Sequence, residues 1–238
     1  MLIGVGNTVH YGMTKPVNTI LFDMDNTLFD FAAAQLAACK AVAAYLGRQD
    51  GASLFNDFFT SGQRGYESIE NIRDYLRFSS IPEENTFQPA CRVYEQVKLD
   101  HVVPYETVPE TLSSLHDDGY KMAVITDAHS RDAARRLERA GLMPFFDGMV
   151  TFDMVMVRKP APEPFLTALD MMKSGAETSL LVGDSPPRDL CPARELGIRT
   201  VYAKYGDLYA DTREFTEADF TINRMDELLQ VIGMLCPE

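Results

Sequence analysis

Short apolar runs recur along this chain, and segments with the spacing of amphipathic helices lie between them. The runs are residues 19–22, 120–126, 149–152, 179–183, 200–203 and, more weakly, 220–222. Runs of this kind, bounded by polar or turn residues, indicate strands that are buried on both faces. Because strands that alternate with helices form right-handed βαβ units, the pattern predicts an α/β fold with a doubly wound, Rossmann-like parallel sheet.

The segments between the later runs carry start and stop signals for helices. Helices are predicted over residues 109–118, 130–140, 165–172 and about 189–196. The first begins with a proline and is followed by Gly119, and this order is typical of helix ends. Ser130 is predicted to cap the second helix, and Gly175 is predicted to stop the third.

Residues 31–103 interrupt this alternation, because they contain alanine-rich stretches and almost no clusters of β-branched residues. Helices are predicted near residues 32–46, 54–60, 66–78 and 87–101. The segment is therefore predicted to form a helical cap domain, inserted into a core domain made of residues 1–30 and 104–238. Since it starts just after the first strand, it should lie over the strand ends, where a lid would close. The role of residues 1–17 stays open between an extra strand, a loop and a tail.

Polar residues follow four of the predicted strands at the point where each strand ends. They are Asp23, Asp25, Thr126, Lys159, Asp184 and Asp189. A pair of carboxylates alone is a weak signal, because a solvated turn after a strand also carries such residues. In a parallel sheet, however, the carboxyl ends of the strands meet at one edge, so these distant side chains should converge there.

These segments resemble, in order and context, the four signature motifs of the haloacid dehalogenase superfamily. The motifs are DMDNT at residues 23–27, a threonine that closes a strand, a lysine before a proline, and GDSPPRD at residues 183–189. The resemblance covers residues 18–233. The helical insertion after the first motif and the Arg158, Lys159, Pro160 segment are similar to the phosphatase branch, which includes phosphoglycolate and sugar phosphatases.

The resemblance implies a Mg²⁺-dependent phosphatase that acts on a small phosphorylated metabolite through an aspartyl phosphate. Asp23 would be the nucleophile and Asp25 the general acid and base. Thr126, the backbone near Asp127 and Lys159 would bind the phosphoryl group. The metal ligands would be the carboxylates of Asp23 and Asp184 and the backbone carbonyl of Asp25. Asp189 would orient a metal-bound water or hold Lys159.

Other activities stay open at this point. A phosphomutase would return the phosphoryl group to a bound substrate, and a catalytically quiet protein would only bind a phospho-ligand. A phosphonatase is disfavoured, since that branch has a small residue at the position of Asp25, and dehalogenases of the superfamily lack an acid there. Further residues weighed for the site are Thr27 as a brace of the loop, His129 as a capping residue, and Arg64, Tyr66 and Arg73 as substrate contacts from the cap.

Composition limits the partners and the compartment. The formal net charge of −13 disfavours nucleic acid and anionic membrane surfaces as partners. No segment resembles a signal peptide or a membrane anchor. The four scattered cysteines predict buried thiols in a reducing cytoplasm rather than a zinc site. The oligomeric state stays unknown from the sequence.

Overall fold

A six-stranded sheet lies at the centre of the computed structural model, which describes residues 16–61, 64–210 and 217–235. The strands are β1 (Thr19–Phe22), β2 (Lys121–Ile125), β3 (Gly148–Val150), β4 (Ser179–Gly183), β5 (Arg199–Ala203) and β6 (Phe220–Ile222). All pairings are parallel, and the order is β3-β2-β1-β4-β5-β6. The predicted α/β class and the six predicted strands are confirmed. The open role of residues 1–17 falls mostly on residues 1–15, which lie outside the described residues.

Strand β1 lies in the middle of the sheet, between β2 and β4. Phe22 at its end is in register with Val124 of β2 and Val182 of β4. The chain builds one half of the sheet through β2 and β3, and it then returns to build the other half through β4 to β6. The carboxyl end of β1 is therefore the topological switch point, where sheets of this type bind their ligands.

Helices occupy the long connection between β1 and β2. They are α1 (Phe31–Tyr45), α2 (Gly51–Ser53) with a π-helical turn (Leu54–Phe59), α3 (Glu70–Phe78), α4 (Phe87–Asp100) and α5 (Val108–Asp117). Residues from α1, α3 and α4, among them Val42, Leu76 and Tyr94, form an apolar cluster of their own. This cluster is distinct from the two clusters that cover the faces of the sheet.

The remaining helices follow β2. They are α6 (Ser130–Arg139), α7 (Phe152–Val155), α8 (Glu163–Met172), α9 (Cys191–Glu195) and α10 (Glu227–Leu235), with 3-10 turns at Met143–Phe145, Ala176–Thr178 and Lys204–Gly206. Ile20 and Phe22 of β1 belong to one core cluster and Leu21 belongs to the other. Alternate residues of this strand thus anchor both helical layers, because successive side chains point to opposite faces.

Several helix ends differ from the predictions. His129, not Ser130, is the N-cap of α6, and the Ser130 hydroxyl instead donates to Asp153 Oδ2 at 2.6 Å. Helix α8 ends at Met172, and its C-cap is Lys173 in the left-handed conformation with φ 51°, not Gly175. Helix α3 begins at Glu70 rather than near residue 66.

The predicted helix near 189–196 is a π-helical segment, Pro186–Leu190, followed by α9. Prolines at 186, 187 and 192 remove backbone donors, which explains the irregular start. Helix α10 was not predicted. The described helices include none with the length and apolarity needed to cross a membrane. Cys39, Cys91 and Cys191 are free thiols, and Cys236 lies outside the described residues.

Candidate active site

Asp23 follows β1 directly and is held in place by the sheet. Its backbone N–H donates to the Val182 carbonyl of β4 at 2.9 Å, which continues the ladder one residue past the strand. The side chain is buried, with 4% exposed. Oδ1 accepts a hydrogen bond from Lys159 Nζ, and Oδ2 lies 3.1 Å from the Thr27 hydroxyl. Burial acts to raise the pKa of Asp23, but the positive charges of Lys159 and Arg188 lower it below its usual range. The carboxylate is therefore ionised at neutral pH.

The ammonium group of Lys159 makes three hydrogen bonds inside the protein. Besides Asp23, Nζ donates to Asp189 Oδ1 at 2.6 Å and to the Ile125 carbonyl at 3.2 Å. Its backbone N–H donates to Asp127 Oδ1 at 3.0 Å, which fixes the loop that carries it. Burial acts to lower the pKa of Lys159, yet Asp189 and Asp23 raise it, so the side chain stays charged.

Three buried carboxylates meet beside this lysine. Oxygens of Asp23, Asp184 and Asp189 all lie within 4.8 Å of one another. The position of Asp189 is fixed by the backbone, since its Oδ2 accepts a hydrogen bond from the Ser185 N–H at 3.1 Å. Burial, followed by the charges of Asp23 and Asp189, raises the pKa of Asp184 well above its usual value. Three carboxyl groups thus share one lysine, and their oxygen donors are those that a hard divalent cation prefers. Among the described residues it is the group of acids, histidines or cysteines with the geometry of a metal site.

Asp25 lies in a different environment, two residues after Asp23. Its Oδ2 accepts a hydrogen bond from Arg136 Nη1 at 2.8 Å. Oδ1 is buried without a hydrogen-bond partner in the described part of the chain. Burial raises the pKa of Asp25 to about 7, because the negative charges of Glu67 and Asp23 add to burial and outweigh the opposing effect of Arg136. The two neighbouring carboxyl groups therefore favour opposite protonation states.

Arg136 of α6 is a buried arginine that the sequence analysis did not select. Only 2% of it is exposed. It donates to Asp25 and also to Glu67, with Nη1 at 3.1 Å from Glu67 Oε1. Its guanidinium lies 4.0 Å from the centroid of the Phe31 ring, at the start of α1. Glu67 in turn lies 3.7 Å from the ammonium of Lys98 on α4. A chain of charges thus connects Asp25 with the helices inserted after β1.

Thr126 and Asp127 follow β2 and face the same cavity. Thr126 is buried, and its Oγ1 accepts the Ala128 N–H at 3.1 Å, so this N–H has an internal partner in the structure. The Asp127 backbone carbonyl accepts a hydrogen bond from Arg158 Nη1 at 2.5 Å. Together with the contact between its carboxylate and the Lys159 N–H, this makes Asp127 the brace of the Arg158–Lys159 loop.

The residues weighed as minor candidates have diverse positions. The Thr27 hydroxyl lies 3.1 Å from Asp23 Oδ2 and 3.5 Å from Asp184 Oδ1, so it braces the acidic cluster. His129 packs edge-on against Phe152. Arg64 and Tyr66 line the cavity, whereas Arg73 pairs with Glu70 and Glu83 and is not among the lining residues. Of the loop around residues 62–65, residues 62 and 63 lie outside the described part.

A cavity of about 990 Å³ opens above these groups. Asp23, Asp25, Thr126 and Lys159 contribute to its wall from the strand ends, while residues 64–69, Glu95 and Lys98 line it from the inserted helices. The Tyr66 hydroxyl is buried as well and has no hydrogen-bond partner among the residues that the structure describes. A ligand in this cavity would thus contact the strand ends and the insertion at the same time.

Comparisons with known proteins agree with the motifs. A family model described as haloacid dehalogenase-like hydrolase matches residues 20–203. Pyrophosphatase PpaX from Halalkalibacterium halodurans is 28% identical over 226 residues, covering 92% of this chain and 98% of that protein. Glyceraldehyde 3-phosphate phosphatase from Methanocaldococcus jannaschii is 29% identical over 227 residues, with coverage of 92% and 98%.

A solved structure shows the same fold at lower identity. The HAD hydrolase YfnB from Bacillus subtilis, bound to magnesium, matches with a TM-score of 0.69 and 20% identity, covering 92% of this chain and 100% of that one. The family model spans most of the chain. The two relatives are named as phosphatases, and this chain matches nearly their whole length. The chain therefore belongs to the haloacid dehalogenase-like hydrolases, in their phosphatase branch, as its motifs predicted.

Proposed function

We propose that this protein is a Mg²⁺-dependent phosphatase of small phosphorylated metabolites and that it works through an aspartyl phosphate on Asp23. One observation carries the proposal. Asp23 is bound to Lys159 and its pKa is lowered, while Asp25, at the same cavity, has a pKa raised to about 7. Two neighbouring carboxyl groups whose pKa values are pushed apart are suited to act as nucleophile and proton donor.

The reaction follows from these protonation states. A carboxylate oxygen of Asp23 attacks phosphorus, the bond from phosphorus to the leaving oxygen breaks, and protonated Asp25 gives its proton to that oxygen. A water molecule then attacks the aspartyl phosphate and gives a proton to Asp25. Inorganic phosphate leaves, and both carboxyl groups return to their initial states. Oδ1 of Asp25 is buried and has no hydrogen-bond partner among the described residues, so no protein donor there competes for a proton on this oxygen.

The acidic cluster fits a magnesium ion. We propose that Asp23 and Asp184 would hold it with carboxylate oxygens, together with the backbone carbonyl of Asp25, while Asp189 holds Lys159. The bound ion would supply positive charge against the phosphoryl oxygens and lower the repulsion that an anionic nucleophile meets. Lys159 adds a positive charge beside Asp23, and the Thr126 side chain and the backbone near Asp127 would bind the remaining phosphoryl oxygens.

We also propose that residues 31–103 act as a cap over a core of residues 1–30 and 104–238. The separate apolar cluster of the inserted helices and the cavity shared between them and the strand ends support this division. The relatives named as pyrophosphatase and glyceraldehyde 3-phosphate phosphatase favour a small phosphate compound as the substrate. Free buried thiols are compatible with a cytoplasmic location.

The test is phosphate release from a panel of sugar phosphates, phosphoglycolate, nucleotides and pyrophosphate, measured with magnesium and with a chelator. We expect release by the wild type with magnesium only, and essentially none by Asp23→Asn. Asp226→Asn, which removes one carboxylate from an exposed ion pair with Arg224, is the matched control and should keep the activity. Equal turnover by wild type and Asp23→Asn would refute the nucleophile assignment.

The same assay separates the alternatives. A phosphomutase would show little net phosphate release and would depend on a bisphosphate primer. A protein that only binds a phospho-ligand would show saturable binding without release. Acid quenching after a short incubation with radiolabelled substrate should leave the label on the wild type, in a bond that hydroxylamine cleaves.

A further inference from the structure

Two arginines of α6 line the cavity beside the proposed proton donor. Arg131 and Arg135 are four residues apart, so their side chains lie on one face of the helix, with Cβ atoms about 6 Å apart. Arg131 is exposed and Arg135 is half-buried. Within the described residues neither has an ion-pair partner or a side-chain hydrogen bond. Both guanidinium groups are therefore available to a ligand.

Other cations at this cavity already have partners. Arg64 pairs with Asp74 at 2.7 Å, and Lys98 pairs with Glu95 at 3.0 Å. Lys159 donates to Asp23, Asp189 and the Ile125 carbonyl. Arg188 donates to the Ser185 hydroxyl at 3.3 Å. Uncompensated positive charge thus collects on the wall formed by α6, although the whole chain carries a net charge of −13. Charged residues that serve only solubility would not be expected to concentrate positive charge at one wall of a cavity.

Neighbouring charges modify this wall without cancelling it. Asp132 lies on the same helix and lines the same cavity, so it lowers the local potential. Arg158 adds a further guanidinium to the cavity lining; it stacks 4.0 Å from the Phe152 ring centroid and donates to the Asp127 carbonyl. Guanidinium groups bind carboxylates and phosphates through paired hydrogen bonds, which a solvated carboxylate such as Asp132 does not prevent.

The position of the pair indicates which part of a substrate it meets. Arg135 precedes Arg136, which contacts Asp25, the group proposed to protonate the leaving oxygen. The pair therefore lies on the leaving-group side of the reacting phosphoryl group. We propose that Arg131 and Arg135 bind a second anionic group, carboxylate or phosphate, carried by the leaving group. This inference rests on the proposed function and narrows its substrates to phosphate esters with a second negative charge.

The experiment compares ligands that share one carbon skeleton. 3-Phosphoglycerate carries a carboxylate where glycerol 3-phosphate carries a hydroxymethyl group, and fructose 1,6-bisphosphate is paired with fructose 6-phosphate. Each is measured as a competitor of p-nitrophenyl phosphate hydrolysis and, without turnover, by calorimetric titration, in magnesium, of proteins that also carry Asp23→Asn. We expect the wild type to bind the member with the second anionic group about tenfold more tightly than its partner in at least one pair. Arg131→Ala combined with Arg135→Ala should abolish this preference and leave kcat for p-nitrophenyl phosphate within about twofold.

A charge-matched control comes from the same chain. Arg139→Ala combined with Arg224→Ala removes two arginines, one on α6 and one elsewhere, that do not line the cavity, and it should keep the wild-type preference. Thermal unfolding checks that both double variants are folded. Two outcomes would overturn this inference and leave the proposed function standing. In one, the wild type turns over p-nitrophenyl phosphate but shows no preference within either pair; in the other, the preference survives in the Arg131 and Arg135 variant. If the wild type neither hydrolysed p-nitrophenyl phosphate nor bound any of the four ligands, the result would count against the proposed function as well.

Discussion

Arg136 Nη1 donates to Asp25 Oδ2 at 2.8 Å while the same guanidinium binds Glu67, a residue of the segment inserted after β1. One oxygen of Asp25 is thereby fixed, and the other has no partner in the described structure. The hydrogen bond also constrains the carboxyl plane, because Arg136 is buried and stacked on Phe31. Arg136 is thus suited to position Asp25, the proposed proton donor, without touching the phosphoryl group.

Replacing Arg136 should therefore affect substrates according to their leaving groups. An alkyl phosphate needs a proton on its leaving oxygen, whereas p-nitrophenol leaves readily as an anion. We expect Arg136→Met to lower kcat/KM for an alkyl phosphate about 100-fold and for p-nitrophenyl phosphate less than about tenfold. Arg136→Lys should restore part of the difference, and Arg139→Met on the same helix should show none. An equal loss for both substrates would indicate a structural role only.

Replacing Asp25 itself should separate the two chemical steps. In Asp25→Asn, p-nitrophenyl phosphate can still phosphorylate Asp23, but the water that hydrolyses the intermediate has no base. We expect a burst of about one p-nitrophenol per active site, followed by a steady rate about 10² to 10⁴ times lower than that of the wild type. Rapid-mixing absorbance measurements report both phases. A slow linear release without a burst would place the loss in the first step.

The raised pKa of Asp25 also has a consequence for stability. The folded protein holds this proton up to about pH 7, whereas the unfolded chain releases it near the usual value of 3.8. Between these values the folded state binds more protons, so this group lowers the free energy of unfolding as the pH rises. Asp25→Asn removes the effect.

We expect thermal unfolding of metal-free protein to show an advantage of Asp25→Asn that is small near about pH 4, grows with pH and levels off above about pH 7, with a limit of about 4 kcal/mol. Asp226→Asn, at an exposed ion pair, should show no such trend. A variant that becomes less stable than the wild type as the pH rises would contradict the upward shift of the pKa.

The positions of the strands and of the motif residues followed from local patterns in the sequence. Buried strands read as apolar runs, and a residue that follows a parallel strand lies at the shared edge wherever its strand is placed. Asp23, Lys159 and Asp184 meet for this reason, although they are far apart in sequence. Predicting the six strands therefore required no knowledge of side-chain packing.

The connection from Asp25 to Glu67 could not be predicted in the same way. Helical spacing places Arg136 on the face of α6 that carries Ala133 and Leu137. Which acids an arginine on that face meets depends on how α6 lies against the inserted helices. The start of α6 at Ser130 was predicted correctly, but Ser130 as its N-cap was wrong for a tertiary reason, because Asp153 from the next connection accepts both the Ser130 N–H and its hydroxyl. Pairs of charged residues on different helices and strands therefore cannot be predicted from local patterns in the sequence.

Metal binding should depend on Asp184 through both activity and stability. Asp184→Asn replaces one proposed ligand of the acidic cluster with a neutral amide of the same shape. We expect the magnesium concentration for half-maximal activity to rise at least about tenfold. Magnesium at about 100 times its dissociation constant should stabilise the wild type by about 2.7 kcal/mol and the variant far less at the same concentration. Identical thermal shifts of the two proteins would place the ion elsewhere, and Asp226→Asn provides the control for lost charge.

Gly206 limits the space behind the loop that carries Asp25. A Cβ atom at this position would lie 1.7 Å from the Asn26 carbonyl oxygen and 3.2 Å from Asp184 Cβ. Backbone cannot yield as a flexible side chain does, so Gly206→Ala must displace either the loop at Asn26 or the turn after β5. We expect a loss of about 1 to 3 kcal/mol in the free energy of unfolding and a fall in kcat larger than the change in KM, because Asp25 and Asp184 flank the displaced groups. Gly233→Ala on α10, where a Cβ would meet no atom within 4 Å, is the matched control and should change neither quantity adversely. Urea unfolding and steady-state kinetics measure the two effects, and wild-type values of both for Gly206→Ala would show that the contact between Gly206 and Asn26 is not maintained in solution.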